Sequence, residues 1–100
     1  MFNLIFGNSK IKNALRTGAI IIDLRSPLEF DEGHIPEAIN IPVDRIAINA
    51  ARIKAMKRPV ILCGHSGFIN DAKQQLLDQG VKEVHNGGNW QRLLRITRSV

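Results

Sequence analysis

The sequence predicts an α/β layered fold built on a mainly parallel central sheet. Two short apolar runs, Ala19-Ile-Ile-Ile-Asp-Leu24 and Pro59-Val-Ile-Leu-Cys63, lack the polar alternation of a half-exposed strand. They suit strands covered on both faces, with helices on both sides of the sheet. Segments with apolar residues at helical spacing lie between and around these runs. Gly and Pro punctuate the junctions, so strands and helices alternate along the chain.

In chain order, Asn8 or Ser9 is expected to cap a helix with Ile11, Ala14 and Leu15 on one face, stopped by Gly18. The first buried strand follows at 19–24. Ser26-Pro-Leu-Glu29 reads as a capping box with Pro at the first helical position, opening a short helix to about Glu32 that Gly33 ends. Ala38-Ile-Asn-Ile41 is a short strand closed by Pro42. Asp44 is expected to cap a helix whose apolar positions are Ile46, Ala50, Ile53 and Met56. The second buried strand ends at Cys63, and a loop spans Gly64 to Gly67. The next helix carries Ile69, Ala72, Leu76 and Leu77 and stops at Gly80. Val81 to Val84 fits a strand, Asn86-Gly87-Gly88 a turn, and a last helix from about Asn89 holds Trp90, Leu93 and Leu94.

The 100 residues read as one domain, 1–100, without repeat or linker. A hydrophobic fraction of 44% with 23% charged residues excludes a disordered chain. No apolar run approaches the ~20 residues that span a bilayer, so no membrane association is expected. The opening MFNLIFGNSK lacks a basic segment and a cleavage site, which makes the cytoplasm the expected location. A lone cysteine cannot form an internal disulfide and fits a reducing compartment. His34, His65 and His85 show no ligand spacing, so neither metal nor cofactor is expected. Net charge is +5, part of it from Arg92, Arg95 and Arg98 at i, i+3 and i+6. Without aromatic interleaving or a nucleic-acid motif, these read as a solvated helix face, and no nucleic-acid partner is expected.

The stretch Ile21-Ile-Asp-Leu-Arg-Ser-Pro-Leu-Glu-Phe-Asp-Glu-Gly-His-Ile-Pro-Glu-Ala-Ile-Asn-Ile-Pro42 strongly resembles the signature of rhodanese-like domains. The matching residues are Asp23, Arg25, Glu29, Phe30, Gly33, His34, Ile35, Ala38, Asn40, Ile41 and Pro42. Asn86-Gly-Gly-Asn-Trp90 is similar to the family's closing segment, so the resemblance runs from about Ile20 to Trp90. It implies a three-layer rhodanese-like fold. From their own chemistry, Asp23 and Arg25 are expected to pair and organise the loops, Phe30 to enter the core, and His34 to bond backbone.

The resemblance also implies an activity. In an active member a cysteine thiolate takes sulfur from a donor such as thiosulfate, forms a persulfide, and passes the sulfur to cyanide or a thiol acceptor. Here Cys63 would be the nucleophile, with Gly64, His65, Ser66, Gly67 and Phe68 as the anion-binding loop and Asp23 and Arg25 in support. The chemistry needs a depressed thiol pKa and converging amides, which a loop before a helix N-terminus can supply. Two departures stand out. Phe68 and Ile69 occupy the region where many members carry an arginine. Aligning Ser66-Gly67 with the common Cys-x-Ser-Gly pattern puts Gly64, not Cys63, at the nucleophile position, whereas counting back from Gly80 favours Cys63. One residue reverses side-chain direction at a strand end. The leading expectation is a small sulfurtransferase that moves sulfane sulfur through a Cys63 persulfide, and the alternative is a non-catalytic module that binds a partner or small anion. A cysteine-dependent phosphatase fits poorly, because its loop wants an arginine for the equatorial phosphate oxygens.

Overall fold

Four parallel strands form the centre of the molecule in the computed structural model, which describes residues 2–100 and the side chains from residue 8 onward. Helix α1 (Phe2–Arg16) precedes β1 (Ile20–Asp23), and α2 (Pro27–Glu32) leads to the short β2 (Ile39–Asn40). A single 3-10 turn (Val43–Arg45) runs into α3 (Ile46–Ala55), followed by β3 (Val60–Cys63) and α4 (Ser66–Asp78). The chain ends with β4 (Val84–Gly88) and α5 (Trp90–Thr97). The strand order is β2-β1-β3-β4, every neighbouring pair parallel.

Strand alternation sorts the side chains into two apolar layers. Ile20, Ile22, Val60 and Leu62 face α3 and α4, where Ile46, Ala50, Ile53, Ile69, Ala72 and Leu76 meet them. Ile21, Ile61 and Cys63 face the other way, against Ile11 and Ala14 of α1 and Leu93 and Ile96 of α5. This is the three-layer α/β architecture that the buried runs predict. The central strands β1 and β3 are buried at all eight positions, which is why they carry no polar face.

Several expectations are corrected. Helix α1 includes Asn8 and Ser9, so neither caps it; Asn8 Oδ1 instead accepts from Arg92 on α5 at 3.1 Å. Asp44 lies inside the 3-10 turn, and α3 starts after Arg45 with no side-chain cap. Phe30 is half-buried and stacks on His34, ring centroids 3.7 Å apart, rather than entering the core. Asn86, Gly87 and Gly88 are not a turn but the end of β4. A Cβ on Gly87 would stand 2.7 Å from Ile61 Cγ2 and 2.9 Å from the Leu62 carbonyl oxygen, so only glycine lets β4 lie this close to β3.

Candidate functional site

Strand order reverses direction between β1 and β3, and the crevice outside their carboxyl ends is where open parallel sheets place ligands. The chain turns away from β1 through Leu24 and Arg25, and from β3 through Gly64 and His65. These turns, with Pro42 to Arg45 after β2, surround a cleft of about 410 Å³ that includes Leu24, Arg25, Pro42, Arg45, His65 and Phe68 in its walls.

Asp23 and Arg25 organise this end of the sheet. The Arg25 guanidinium grips the buried Asp23 carboxylate, Nε donating at 3.0 Å and Nη2 at 2.8 Å. The Arg25 backbone N–H also donates to Asp23 Oδ1 at 3.0 Å. Nη2 further donates to the Gly33 carbonyl at 2.7 Å, and the guanidinium lies 5.0 Å from the Trp90 ring centroid. Its hydrogen bonds to Asp23 raise the Arg25 pKa above its ordinary value against the effect of burial, so the guanidinium stays charged. Asn40 reinforces the turn, its Nδ2 donating to the carbonyls of Asp23 (3.0 Å) and Arg25 (2.9 Å).

Helix α2 is held against the β3 turn by a second pair. Ser26 and Glu29 form the predicted capping box, with Glu29 N–H donating to Ser26 Oγ and Ser26 N–H to Glu29 Oε1, both at 3.2 Å. The other Glu29 oxygen accepts from His65 Nε2 at 2.9 Å. The Ser26 hydrogen bonds, and after them His65, hold the Glu29 carboxyl below its ordinary pKa. His34 does bond backbone, donating from Nδ1 to the Phe30 carbonyl at 2.6 Å.

The structure separates Cys63 from the cleft. Its side chain is 0% exposed and packs with Ile61, Ile21 and Leu93 in the α1/α5 layer. Burial pushes the thiol up to about 12, the Asp23 carboxylate adds to the rise, and Arg25 offsets only part of it. That is the reverse of the depressed pKa a nucleophilic thiolate needs. Gly64 opens the turn at φ +152, and a Cβ built there would stand 3.3 Å from Leu24 Cβ and 3.8 Å from Arg25 Cγ. Position 64 therefore faces two cleft residues, and glycine occupies it. Ser66, Gly67 and Phe68, expected as loop, form the first turn of α4 instead, with His65 in extended conformation as the N-cap. The Phe68 N–H donates to the His65 carbonyl at 3.0 Å. The N–H groups of Ser66 and Gly67 have no intrahelical acceptor by helix geometry. Phe68 is 52% exposed at the rim. Arg45 is the site residue that sequence reading missed. Its only signal was a place shortly after a predicted strand end.

Comparison with known proteins agrees with this fold. The family model described as the Rhodanese-like domain matches residues 8–88. The chain belongs to the rhodanese-like domain family. It is 29% identical over 69 residues to thiosulfate sulfurtransferase GlpE of Pseudomonas syringae pv. syringae, covering 69% of this chain and 65% of that protein. It is 35% identical over 68 residues to the uncharacterized protein YqhL of Bacillus subtilis, covering 68% of this chain and 54% of that one. The rhodanese-like chain thus spans less than two thirds of these relatives' length. Among solved structures, a rhodanese with anions from E. coli superposes with a TM-score of 0.66 at 27% identity, over 75% of this chain and 91% of that one. The Alr3790 protein from Anabaena superposes with a TM-score of 0.71 at 21% identity, over 89% and 75% respectively, and shares the fold. Among the described residues no helix is long and apolar enough to cross a membrane.

Proposed function

We propose that this rhodanese-like domain is a binding module that receives an anionic group of a partner or small molecule in the cleft after β1, β2 and β3, and does not carry sulfur on Cys63. The observation that carries this reading is the burial of Cys63 in the apolar layer on one side of the sheet, away from the residues that line the cleft. Arg45 and the first amides of α4 supply positive potential, with Asp44 the one carboxylate in the same lining. Arg25 adds shape more than charge, because Asp23 already neutralises it.

The competing reading is a thiosulfate sulfurtransferase acting through a Cys63 persulfide, favoured by the similarity to GlpE. It requires the thiol to leave its layer and lose its proton, against burial that favours the neutral form. One experiment separates the two. The protein is incubated with thiosulfate, weighed intact, and titrated with thiosulfate while backbone amide resonances are followed. The binding reading expects no one-sulfur mass increase, saturable shifts around Arg45 and His65, and weaker binding in Arg45→Gln. A sulfur adduct that Cys63→Ser abolishes would establish the transferase instead, and an absence of saturable shifts would remove the anion site.

A further inference from the structure

A larger cleft lies at the opposite end of the sheet. It encloses about 700 Å³ between the carboxyl end of α3, the segment entering β3 and the α4–β4 connection. That volume is within the range of small-molecule sites, roughly 300–1,000 Å³. Its charged lining is Lys54, Lys57, Arg58 and Lys82 against one carboxylate, Glu83. Glu83 is already engaged, its Oε2 accepting from His85 Nε2 at 2.7 Å. The ion pairs among the described residues are Arg25–Asp23, His65–Glu29 and His85–Glu83, so none of the four cations is neutralised.

Local features position three of these cations in the cleft lining. Lys57 is the only described residue other than glycine with a positive φ, +55, a conformation that a side chain resists and glycine adopts freely. Gly80, at φ +96, leaves bare backbone under Lys54: a Cβ there would stand 2.9 Å from Lys54 Nζ and 3.1 Å from its Cε. Arg58 is anchored by Nε, which donates to the Gly18 carbonyl at 2.6 Å and leaves the rest of its guanidinium for a ligand. A cation at a helix carboxyl end complements the helix dipole, which accounts for Lys54. It accounts neither for a lysine in a glycine conformation nor for Lys82 on a different connection.

We propose that this cleft binds the di- or triphosphate group of a small phosphorylated molecule. The three ammonium groups and the Arg58 guanidinium surround the phosphate oxygens, and Ala51, Pro59 and Val81 offer an apolar wall to the rest of the ligand. A nucleic-acid backbone fits less well. The exposed arginines of α5 belong to the other layer of the fold, and of the four cleft cations Arg58 alone also lines the pocket beside Thr97 and Val100 at the end of α5.

The test titrates the intact protein with inorganic triphosphate and, separately, with a single-stranded oligonucleotide, following backbone amide resonances. Saturable triphosphate shifts confined to residues 51–59 and 80–83 are expected. Lys54→Gln and Lys82→Gln should each weaken binding roughly tenfold, the worth of one charge-assisted hydrogen bond. Lys57→Gly should weaken it similarly while raising the melting temperature, which a purely structural lysine would not do. Arg95→Gln removes the same charge from α5 and should leave binding unchanged. The proposal is overturned by shifts that do not saturate, by an Arg95→Gln effect equal to that of Lys54→Gln, or by tighter oligonucleotide binding with a footprint on α5.

Discussion

At the residue scale the decisive quantity is the direction of one side chain. Ile61 and Cys63 share a face of β3, and Cys63 stands beside Asp23 in the parallel register, so its thiol meets an apolar layer and a carboxylate together. Both disfavour the thiolate, which raises the pKa from 9.0 to about 12. The sign of the consequence is fixed. The folded state holds the thiol proton more tightly than the unfolded state, so this stabilisation is complete below about pH 9. It is lost as pH rises toward 12, a change on the order of 4 kcal/mol. Denaturant titrations of the native protein between about pH 8 and pH 11 should show this fall. Cys63→Ala should flatten it, at a cost of about 1 kcal/mol at neutral pH for the small cavity. A neutral alkylating reagent should react slowly with the native protein at pH near 7 and rapidly once it is unfolded. Rapid alkylation of the native protein would show that the thiol reaches the surface.

At the element scale, α2 is a helix of six residues with no buried residue of its own, too short to persist by propensity. Its capping box and the link from Glu29 to His65 hold it at the mouth of the cleft. Replacing Ser26 with Ala removes the side-chain cap and should cost about 1 kcal/mol. The resonances of residues 26–33 should broaden more than those of the sheet. The Glu29 carboxyl lies below its ordinary 4.5, so its contribution is present above that pH and is lost as pH falls through its lowered value. Acid should therefore loosen α2 before it loosens β1 or β3. Amide exchange measured between about pH 3 and 5, bracketing the carboxylate range, reads this directly. Equal acid sensitivity in α2 and the central strands would show that the Glu29 links do not hold the element.

At the scale of the whole molecule, what could be read from the sequence was whatever depends on neighbours in the chain. The buried runs of β1 and β3, the Ser26–Glu29 box and the Asp23–Arg25 pair are all local patterns, and all are present. The placing of Arg45 and His65 in one cleft depends on β2 and β3 flanking β1, an order that no local pattern states. The orientation of Cys63 turned on a single-residue register, and the strand character of Gly87 on contacts with Ile61 and Leu93 across the sheet. The same shared sheet couples the two apolar layers. Ile22 is wholly buried toward α3 and α4, whereas Trp90, the sole tryptophan, packs on the α1/α5 side. Ile22→Ala should cost about 2–5 kcal/mol through the lost burial and the cavity left behind. A chain of this size is expected to unfold in one cooperative step. The fluorescence of Trp90 should therefore report the full loss, although the tryptophan never touches the altered layer. Its denaturant midpoint should move together with that of far-ultraviolet circular dichroism. A tryptophan midpoint left in place while the circular dichroism midpoint falls would mean that the two layers unfold separately, and that the sheet does not transmit stability between them.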